Sequence, residues 1–295
     1  MTIPIQVSKH GKRLGISKDD QVIARGGIVA GGGDKPSIVF PAPDTTAVFD
    51  DFQHALIQAV DTGVPLGAGL FRQVTGDTGH GSLNVAGTNG VFRLFNTPSA
   101  TATAVGASGK GISGALQWKV NQGPGAHSGR LRFATRVKFV PDDGGSALSA
   151  TLNRLHVFAG FTDIATYEFP ALDTGAGTIS AADDFVGFMY SPDATAGLGW
   201  YGVAGNATVD TRVTLSVTPT VNVWHTLEVE IHRGSGDTNG TATFYVDGVP
   251  KGSLSSPVLS TVALAPCVYA FQQDTGKQGL DIDWVNASAA RDTGL

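Results

Sequence analysis

The carboxylates are the residues of this sequence best suited to chemistry, and nearly all of them are aspartates. Of the 25 Asp and Glu residues, only Glu168, Glu228 and Glu230 are glutamates. Asp281 and Asp283 alternate with apolar residues, and a strand would hold their side chains on one face about 6.5–7 Å apart. Paired carboxylates that cleave glycosides have similar separations. Neither aspartate has the apolar surroundings of a catalytic acid, so we expect two solvated residues, with a calcium or sugar-hydroxyl role as the alternative and catalysis disfavoured.

Aromatic side chains offer a second kind of site, because a ring face can pack against the apolar face of a sugar. Trp200 and Tyr201 follow a Gly-rich stretch. We expect them to serve in packing or a subunit contact, with an exposed ligand surface as the alternative. Trp224 and Trp284 lie in apolar strand patterns and are expected in the core. The candidate ligand surface therefore consists of four side chains: Trp200, Tyr201, Asp281 and Asp283.

Several familiar motifs occur in contexts that remove their chemical meaning. Asp-Thr-Gly, the aspartic-protease triplet, appears five times, as expected of turn residues in an Asp- and Gly-rich chain. Residues 197–202 match the Gly-x-Gly-x-x-Gly dinucleotide pattern, but the Val-Ala-Gly-Asn that follows does not begin a helix. His225 and His232 are too far apart in an extended chain to share a metal on their own. We therefore predict no catalytic residue, no cofactor and no metal.

The composition favours strands and turns over helices. Gly accounts for 40 of the 295 residues, and charged residues make up only 15%, against about 25% in an average globular chain. With 41% apolar residues the chain can still bury a core. The single cysteine, Cys267, excludes an internal disulfide and a thiolate zinc cluster. The acidic net charge of −5 argues against nucleic-acid binding, and without an apolar run of about 18 residues no membrane insertion is expected.

Alternating apolar residues predict a series of strands separated by polar turns. In residues 130–140, Leu131, Phe133, Val137 and Phe139 are expected inside and the intervening Arg and Lys residues outside. Two continuously apolar stretches, 156–161 and 185–190, are typical of central strands. Asp-Gly at 247–248, between two extended runs, predicts a hairpin with positive φ. The other predicted strands are 90–95, 224–231, 242–246 and 280–285, and residues 50–60 show helical spacing.

The first 46 residues differ from the rest in composition and in hydrophobic pattern. Short apolar patches alternate with Gly-rich and Pro-rich stretches, and residues 1–40 carry a charge of +3, which leaves −8 for the remainder. Such a segment cannot bury a core alone, but it can add strands to the edge of a neighbouring sheet. We predict an extended docking arm over residues 1–46, with a flexible terminus as the alternative. The residues assigned to docking are Ile3, Ile5, Val7, Lys9, Lys12, Arg13 and Arg25.

The succession of strands in residues 47–295 resembles the concanavalin A-like, laminin G-like jelly-roll sandwich. The likeness is carried by Trp224–Ile231, by Ala242–Val246 with the Asp-Gly that follows, and by the closing residues 281–285. Shorter stretches are more specifically similar to structural proteins of tailed-bacteriophage virions, namely 50–52, 136–139, 158–163, 184–188 and 200–203. The predicted fold is therefore all-β: a concanavalin A-like jelly-roll β-sandwich behind an extended N-terminal arm.

The resemblance implies a non-enzymatic virion structural protein that decorates or stabilises the capsid through its N-terminal arm and subunit contacts. It implies the major capsid protein or other virion proteins as partners, a homo-oligomer such as a trimer, and location in the virion after assembly in the host cytoplasm. The alternative is a glycan-binding adhesion module on the head or tail surface, with a host-surface glycan as its partner. A glycoside hydrolase is a third, disfavoured interpretation, because the Glu-x-Asp-x-x-Glu spacing of enzymes with this fold is absent.

Overall fold

The computed structural model is all-β over the residues that it describes. It describes the backbone of the strands named below and the side chains of residues 91–94, 118–120, 129–140, 155–164, 182–192, 194, 197–206, 210–233, 240–255, 257–258, 261–270 and 279–289. In chain order the strands are β1 (Pro4–Gln6), β2 (Arg13–Ile16), β3 (Val22–Ile23), β4 (Val29–Ala30), β5 (Ile38–Val39), β6 (Thr45–Asp50), β7 (Pro65–Leu66), β8 (Phe71–Thr75), β9 (Leu83–Asn84), β10 (Phe92–Phe95), β11 (Gly109–Ser113), β12 (Gly129–Val140), β13 (Leu155–Thr162), β14 (Ala171–Asp173), β15 (Thr178–Ser180), β16 (Asp184–Tyr190), β17 (Trp200–Asn206), β18 (Asp210–Thr214), β19 (Trp224–Arg233), β20 (Thr241–Val246), β21 (Val249–Ser255), β22 (Ala265–Gln272) and β23 (Gly279–Ala290).

Most of these strands belong to two antiparallel sheets. Sheet I has the order β21-β20-β19-β12-β23-β10-β9, and β6 pairs with the C-terminal half of β23. Sheet II has the order β18-β17-β16-β13-β22-β11-β8-β7. The chain passes between the sheets along β10, β11, β12 and β13, and again along β21, β22 and β23. This alternation between two sheets is that of a jelly roll, and the predicted all-β jelly-roll sandwich is confirmed.

The space between the sheets is filled by side chains from alternate positions of each strand. In β12 the apolar residues Leu131, Phe133, Val137 and Phe139 are at most 1% exposed, as predicted. Phe139 contacts Trp200 of sheet II, with ring centroids 5.8 Å apart. Fully burying one such side chain contributes about 1.5–3 kcal/mol, so these alternating positions hold the two sheets together.

Sheet II is buried on both of its faces at its centre. All residues of β13 and β16 are buried, which confirms residues 156–161 and 185–190 as central strands. The outer face there carries a second apolar cluster that includes Phe158, Phe185, Met189, Tyr201 and Cys267. Gly160 and Gly187 are register partners in the same region, and a Cβ on Gly160 would lie 2.2 Å from the carbonyl oxygen of Val186. The backbones of β13 and β16 can therefore approach this closely only because Gly160 and Gly187 have no side chains.

A bulge in β23 decides which of its residues face the core. Arg136 pairs with Trp284 and Val137 pairs with Ile282, so Asp283 is an extra residue between them. Ile282 is buried in the core as predicted. Beyond the bulge the alternation is reversed, and Trp284 is partly buried beside outward-facing Arg136. The prediction that Trp284 belongs to the core is therefore wrong, because regular alternation was assumed across the bulge.

The predicted Asp-Gly hairpin between β20 and β21 is confirmed. Asp247 has a φ of 53° and Gly248 a φ of 76°, the two positive values that a primed turn requires. β21 is the edge strand of sheet I, and its register shifts between Gly252 and Pro250. Lys251, in that shift, is exposed. A proline, a lysine and an irregularity are features that keep an edge strand from pairing with another chain.

The N-terminal strands lie in small sheets of their own. β1, β2 and β3 form one sheet and β4 and β5 another, and within the described backbone none of the five pairs with sheet I or sheet II. β6 does pair with β23, so this strand spans the boundary drawn after residue 46. The division into arm and sandwich stays a prediction.

The predicted helix over residues 50–60 falls largely outside the described part of the chain. Asp50 is the last residue of β6, and residues 51–60 lie outside the described residues. Within the part of the chain that is described, the structure has no helix of the length and hydropathy needed to cross a bilayer.

Candidate functional site

The outer face of sheet I carries a row of charged and aromatic side chains. In β12 the even-numbered residues Arg130, Arg132, Arg136 and Lys138 point away from the core, as their alternation with apolar residues predicted. The neighbouring strands β19 and β23 present carboxylates to this row. Any chemistry on this face therefore depends on whether those carboxylates are free or already paired.

The two glutamates of β19 are paired with arginines. Arg132 donates from Nε and Nη2 to the two oxygens of Glu228, at 2.7 Å each, and Arg130 forms an ion pair with Glu230. Glu228 and Glu230 share one face at i and i+2, which brings them as close as two catalytic carboxylates would need. However, a carboxylate whose two oxygens both face a guanidinium is directed at the neighbouring strand rather than at a substrate, so Glu228 is a structural partner of β12.

Asp281 is buried rather than solvated, with a side-chain exposure of 2%. Its register partners on both sides are cations, Arg93 of β10 and Lys138 of β12. Arg93 donates from Nε to Oδ1 at 2.5 Å and from Nη2 to Oδ2 at 3.1 Å, and the Lys138 Nζ lies 3.2 Å from Oδ2. A buried carboxylate is tolerated when it is paired in this way. The prediction of a solvated Asp281 is wrong, because the strand alone does not reveal the basic residues that flank it in the sheet.

Asp283, the extra residue of the bulge, binds a different cation. The Nη1 of Arg136 donates to its Oδ2 at 3.0 Å, and the Asp283 side chain is 18% exposed. Asp281 and Asp283 therefore do not converge on a shared ligand. Among the residues that the structure describes, no group of three or more His, Cys, Asp or Glu side chains is arranged to hold a metal ion.

Trp224 lies beside these ion pairs and is partly exposed, not in the core as expected. The Nζ of Lys138 is 4.6 Å and the Cζ of Arg136 is 5.1 Å from the centroid of its ring, within the range of cation–π contacts. The sequence contained the signal for this position, because the apolar residues 227, 229 and 231 place the even-numbered residues of β19 outside. We call the six side chains of this group the Trp224 cluster: Arg93, Arg136, Lys138, Trp224, Asp281 and Asp283.

Trp200 and Tyr201 do not form an exposed ligand surface. They are 0% and 1% exposed, respectively. Trp200 packs between the sheets, and Tyr201 lies in the outer cluster of sheet II, where its hydroxyl donates to the carbonyl oxygen of Gly197. A buried ring cannot stack on a sugar. The favoured interpretation, packing, is therefore the one that the structure supports, and the four residues of the candidate ligand surface are not brought together.

Two other side-chain pairs could be mistaken for catalytic groups. Ser191 Oγ lies 3.1 Å from His156 Nδ1, but both residues are at most 1% exposed and cannot meet a substrate. His225 Nδ1 lies 2.9 Å from Asp247 Oδ2, while Asp247 Oδ1 accepts the backbone N–H of Thr226 at 2.8 Å. These contacts fasten the β20–β21 turn to the start of β19.

The residues assigned to docking are only partly described. Ile5 lies in β1 opposite Leu14, and Arg13 lies in β2 opposite Gln6. Their roles in docking stay predictions. The other five lie outside the described residues: Ile3, Val7, Lys9, Lys12 and Arg25.

Comparisons with known proteins find only distant structural similarities. No family model matches the sequence, and no curated protein matches it. The carbohydrate recognition domain of Emp47p aligns with a TM-score of 0.48 at 9% identity, over 79% of this chain and 93% of that domain. A peanut lectin aligns with a TM-score of 0.48 at 10% identity, over 83% and 97%. An endo-1,3-beta-glucanase from Streptomyces sioyaensis aligns with a TM-score of 0.44 at 15% identity, over 85% and 99%. Similarities this distant carry no argument about what this chain binds or catalyses.

Proposed function

We propose that this chain is a non-enzymatic structural protein of a tailed-bacteriophage virion, with the sandwich as its rigid body and the N-terminal segment as its attachment. One observation carries the non-enzymatic part: Glu228, Glu230, Asp281 and Asp283 each pair with an Arg or Lys on the outer face of sheet I. A glycoside hydrolase needs one carboxyl group to donate a proton and a second to act as nucleophile or base. These four carboxylates instead connect neighbouring strands. The virion assignment rests on the sequence resemblance of residues 47–295.

The N-terminal strands support attachment by strand addition. The sheet of β1, β2 and β3 and the hairpin of β4 and β5 are short, and their outer strands offer backbone groups to a neighbouring sheet edge. The charge of +3 on residues 1–40 would favour an acidic partner surface. Each arm would bind with modest affinity, and many copies on one particle would add avidity. The partner on this proposal is the major capsid protein or another virion protein.

Deletion of residues 1–40 tests the attachment. The cut must end before Thr45, because β6 pairs along β23 and belongs to sheet I. We expect the shortened chain to keep the strands of sheets I and II and its thermal unfolding temperature, but to lose binding to particles that lack this protein. Full occupancy of particles by the shortened chain would refute the role of the arm.

A matched variant separates strand addition from charge. Replacing Lys9, Lys12, Arg13 and Arg25 with Gln keeps the apolar patches of the arm but removes four of its six basic residues. If strands provide most of the affinity, this variant binds particles more weakly than the full chain but far better than the deletion. Equal loss in the two variants would assign the attachment to electrostatics.

Self-association is part of the same proposal. We expect a homo-oligomer, for example a trimer. It would form through surfaces other than β21, whose proline, exposed lysine and register shift disfavour edge-to-edge pairing. Light scattering of the full chain measures the mass directly. A monomer at all concentrations would contradict this part without affecting the arm.

The second candidate function is a glycan-binding adhesion module on the virion surface. The partly exposed Trp224, framed by charged side chains, favours it, because an indole next to hydrogen-bonding groups can hold a sugar ring. A glycan array with the full chain and its Trp224→Ala variant tests this candidate. Tyr245→Ala is a suitable control, since Tyr245 is a partly buried aromatic residue in β20 of the same sheet. Binding that Trp224→Ala retains would exclude the cluster as the glycan site.

A further inference from the structure

The Trp224 cluster contains more basic than acidic side chains. Three cations, Arg93, Arg136 and Lys138, face two carboxylates, Asp281 and Asp283. Asp281 is shared by Arg93 and Lys138 and is shielded from solvent.

Arg136 uses little of its hydrogen-bonding capacity. A guanidinium has five N–H donors in a planar fork that matches a carboxylate. Arg132, on the same strand and the same face, binds Glu228 through two donors at 2.7 Å. Within the described part of the chain, Arg136 donates one hydrogen bond, to Asp283 at 3.0 Å, and its side chain is 26% exposed. Arg136 is therefore a partly exposed cation with donors left for a second carboxylate.

The aromatic ring next to Arg136 restricts the kind of ligand. Trp224 is partly exposed and lies against Arg136 and Lys138. A small inorganic anion would use the cations alone, whereas a sugar ring that bears a carboxylate would use the cations and the indole together. We infer that the Trp224 cluster is a binding site for a carboxylate-bearing saccharide. Arg136 would be the main contact of the saccharide carboxylate, and Asp283 would compete with that carboxylate for the Arg136 guanidinium. This inference rests on the glycan-binding candidate above.

The role of Asp283 gives the inference an unusual test. If Asp283 occupies a donor of Arg136 that the ligand would use, Asp283→Asn removes a competing negative charge. This variant should bind the acidic saccharide several-fold more tightly. Arg136→Met should weaken it about 10-fold or more, the effect of losing a hydrogen bond between charged groups. Arg132→Met removes an arginine from an ion pair on the same strand, about 13 Å away along β12. It is the matched control and should leave binding within about twofold.

Binding of the full chain would be measured against uronate- and sialate-bearing oligosaccharides, each paired with its neutral methyl ester. We expect the acids to bind and the esters to bind at least about 10-fold more weakly. Equal binding of acids and esters would overturn the inference while leaving glycan binding intact. If neither acids nor esters bind, both the glycan-binding candidate and the inference that rests on it are refuted. Circular dichroism checks that each variant folds. If Arg136→Met does not fold, Asp283→Asn still tests the inference: unchanged or weaker binding of the acidic saccharides by this variant would overturn it.

Discussion

Replacing Trp200 with alanine should destabilise the sandwich much more than the same replacement of Trp224. Trp200 is 0% exposed and lies among three other rings, with centroid distances of 5.8 Å to Phe139, 5.9 Å to Tyr190 and 6.5 Å to Phe188. Truncating a buried tryptophan costs about 3–5 kcal/mol in the free energy of unfolding. Trp224 is partly exposed, and two cation–π contacts of about 0.5–1 kcal/mol each are its described ring contacts.

The indole nitrogen of Trp200 refines the expected magnitude. Its Nε1 is buried without a hydrogen-bond partner among the described residues, and an unsatisfied buried donor costs about 1–3 kcal/mol. Alanine removes this penalty together with the ring, so we expect a net loss of about 3 kcal/mol for Trp200→Ala and about 1–2 kcal/mol for Trp224→Ala. Trp200→Phe keeps an aromatic ring and also removes the orphaned donor, so it should cost less than Trp200→Ala.

Urea unfolding of the three variants and the parent chain measures these differences. In thermal unfolding, at about 2–4 °C per kcal/mol for a domain of this size, Trp200→Ala should lower the unfolding temperature by roughly 6–12 °C. A loss below about 1 kcal/mol, or a loss smaller than that of Trp224→Ala, would refute the interior position of Trp200. The result also decides how ligand binding is tested, because a variant that unfolds loses any ligand for trivial reasons.

Three further predictions concern single positions outside the Trp224 cluster. Gly160→Ala should destabilise the chain by about 1–3 kcal/mol or more, because its Cβ would lie 2.2 Å from a backbone oxygen; a neutral effect in urea unfolding would contradict the close approach of β13 and β16. Cys267 is fully buried, and burial raises the pKa of its thiol well above the usual value, so a thiol reagent should label it in urea but not in the native protein, and rapid native labelling would disprove the burial. Burial, and then the charges of Asp184 and Asp183, raise the pKa of Asp163 above its ordinary value of 3.8. The native state therefore binds its proton more tightly than the unfolded state, and stability falls as the pH rises from 3.8 through the raised pKa. The stability gained by Asp163→Asn should accordingly increase from pH 4 to pH 7, whereas a gain that does not change with pH would argue against this cause.

Regular alternation within one strand was the most informative feature of the sequence. It placed Leu131, Phe133, Val137 and Phe139 inside and the basic residues of β12 outside, since period two is a property of the strand backbone itself. The Asp-Gly turn was equally readable, because few residues adopt positive φ without strain. Trp284 was misplaced because a bulge depends on the partner strand, and nothing in the residues of β23 alone marks it.

The glycines before and within β17 have a role that the sequence alone does not show. The Gly-rich residues before Trp200 and Tyr201 suggested an exposed loop as the alternative, whereas Gly202 and Gly205, within β17, leave room for rings. A Cβ on Gly202 would lie 2.7 Å from the Phe244 ring, and one on Gly205 would lie 2.3 Å from the Phe185 ring. Glycine thus makes space for large residues from other strands and sheets, a reason that becomes visible only when the partners are known.

Cross-strand pairing also explains why the ion-pair partners of the carboxylates could not be predicted from the sequence. Every partner of these carboxylates comes from another strand: Arg93 is 188 residues from Asp281, and Arg132 is 96 residues from Glu228. Stability alone accounts for pairs of this kind, in which each guanidinium binds both oxygens of its carboxylate. It does not account for Arg136, which stands on the same strand as Arg132, keeps a single hydrogen bond to Asp283, and lies against a partly exposed indole. If this face served only to hold strands together, a second hydrogen bond from Arg136 to a carboxylate would add stability, as the second hydrogen bond of Arg132 does. Because Arg136 lacks that second bond, we assign ligand recognition to the Trp224 cluster.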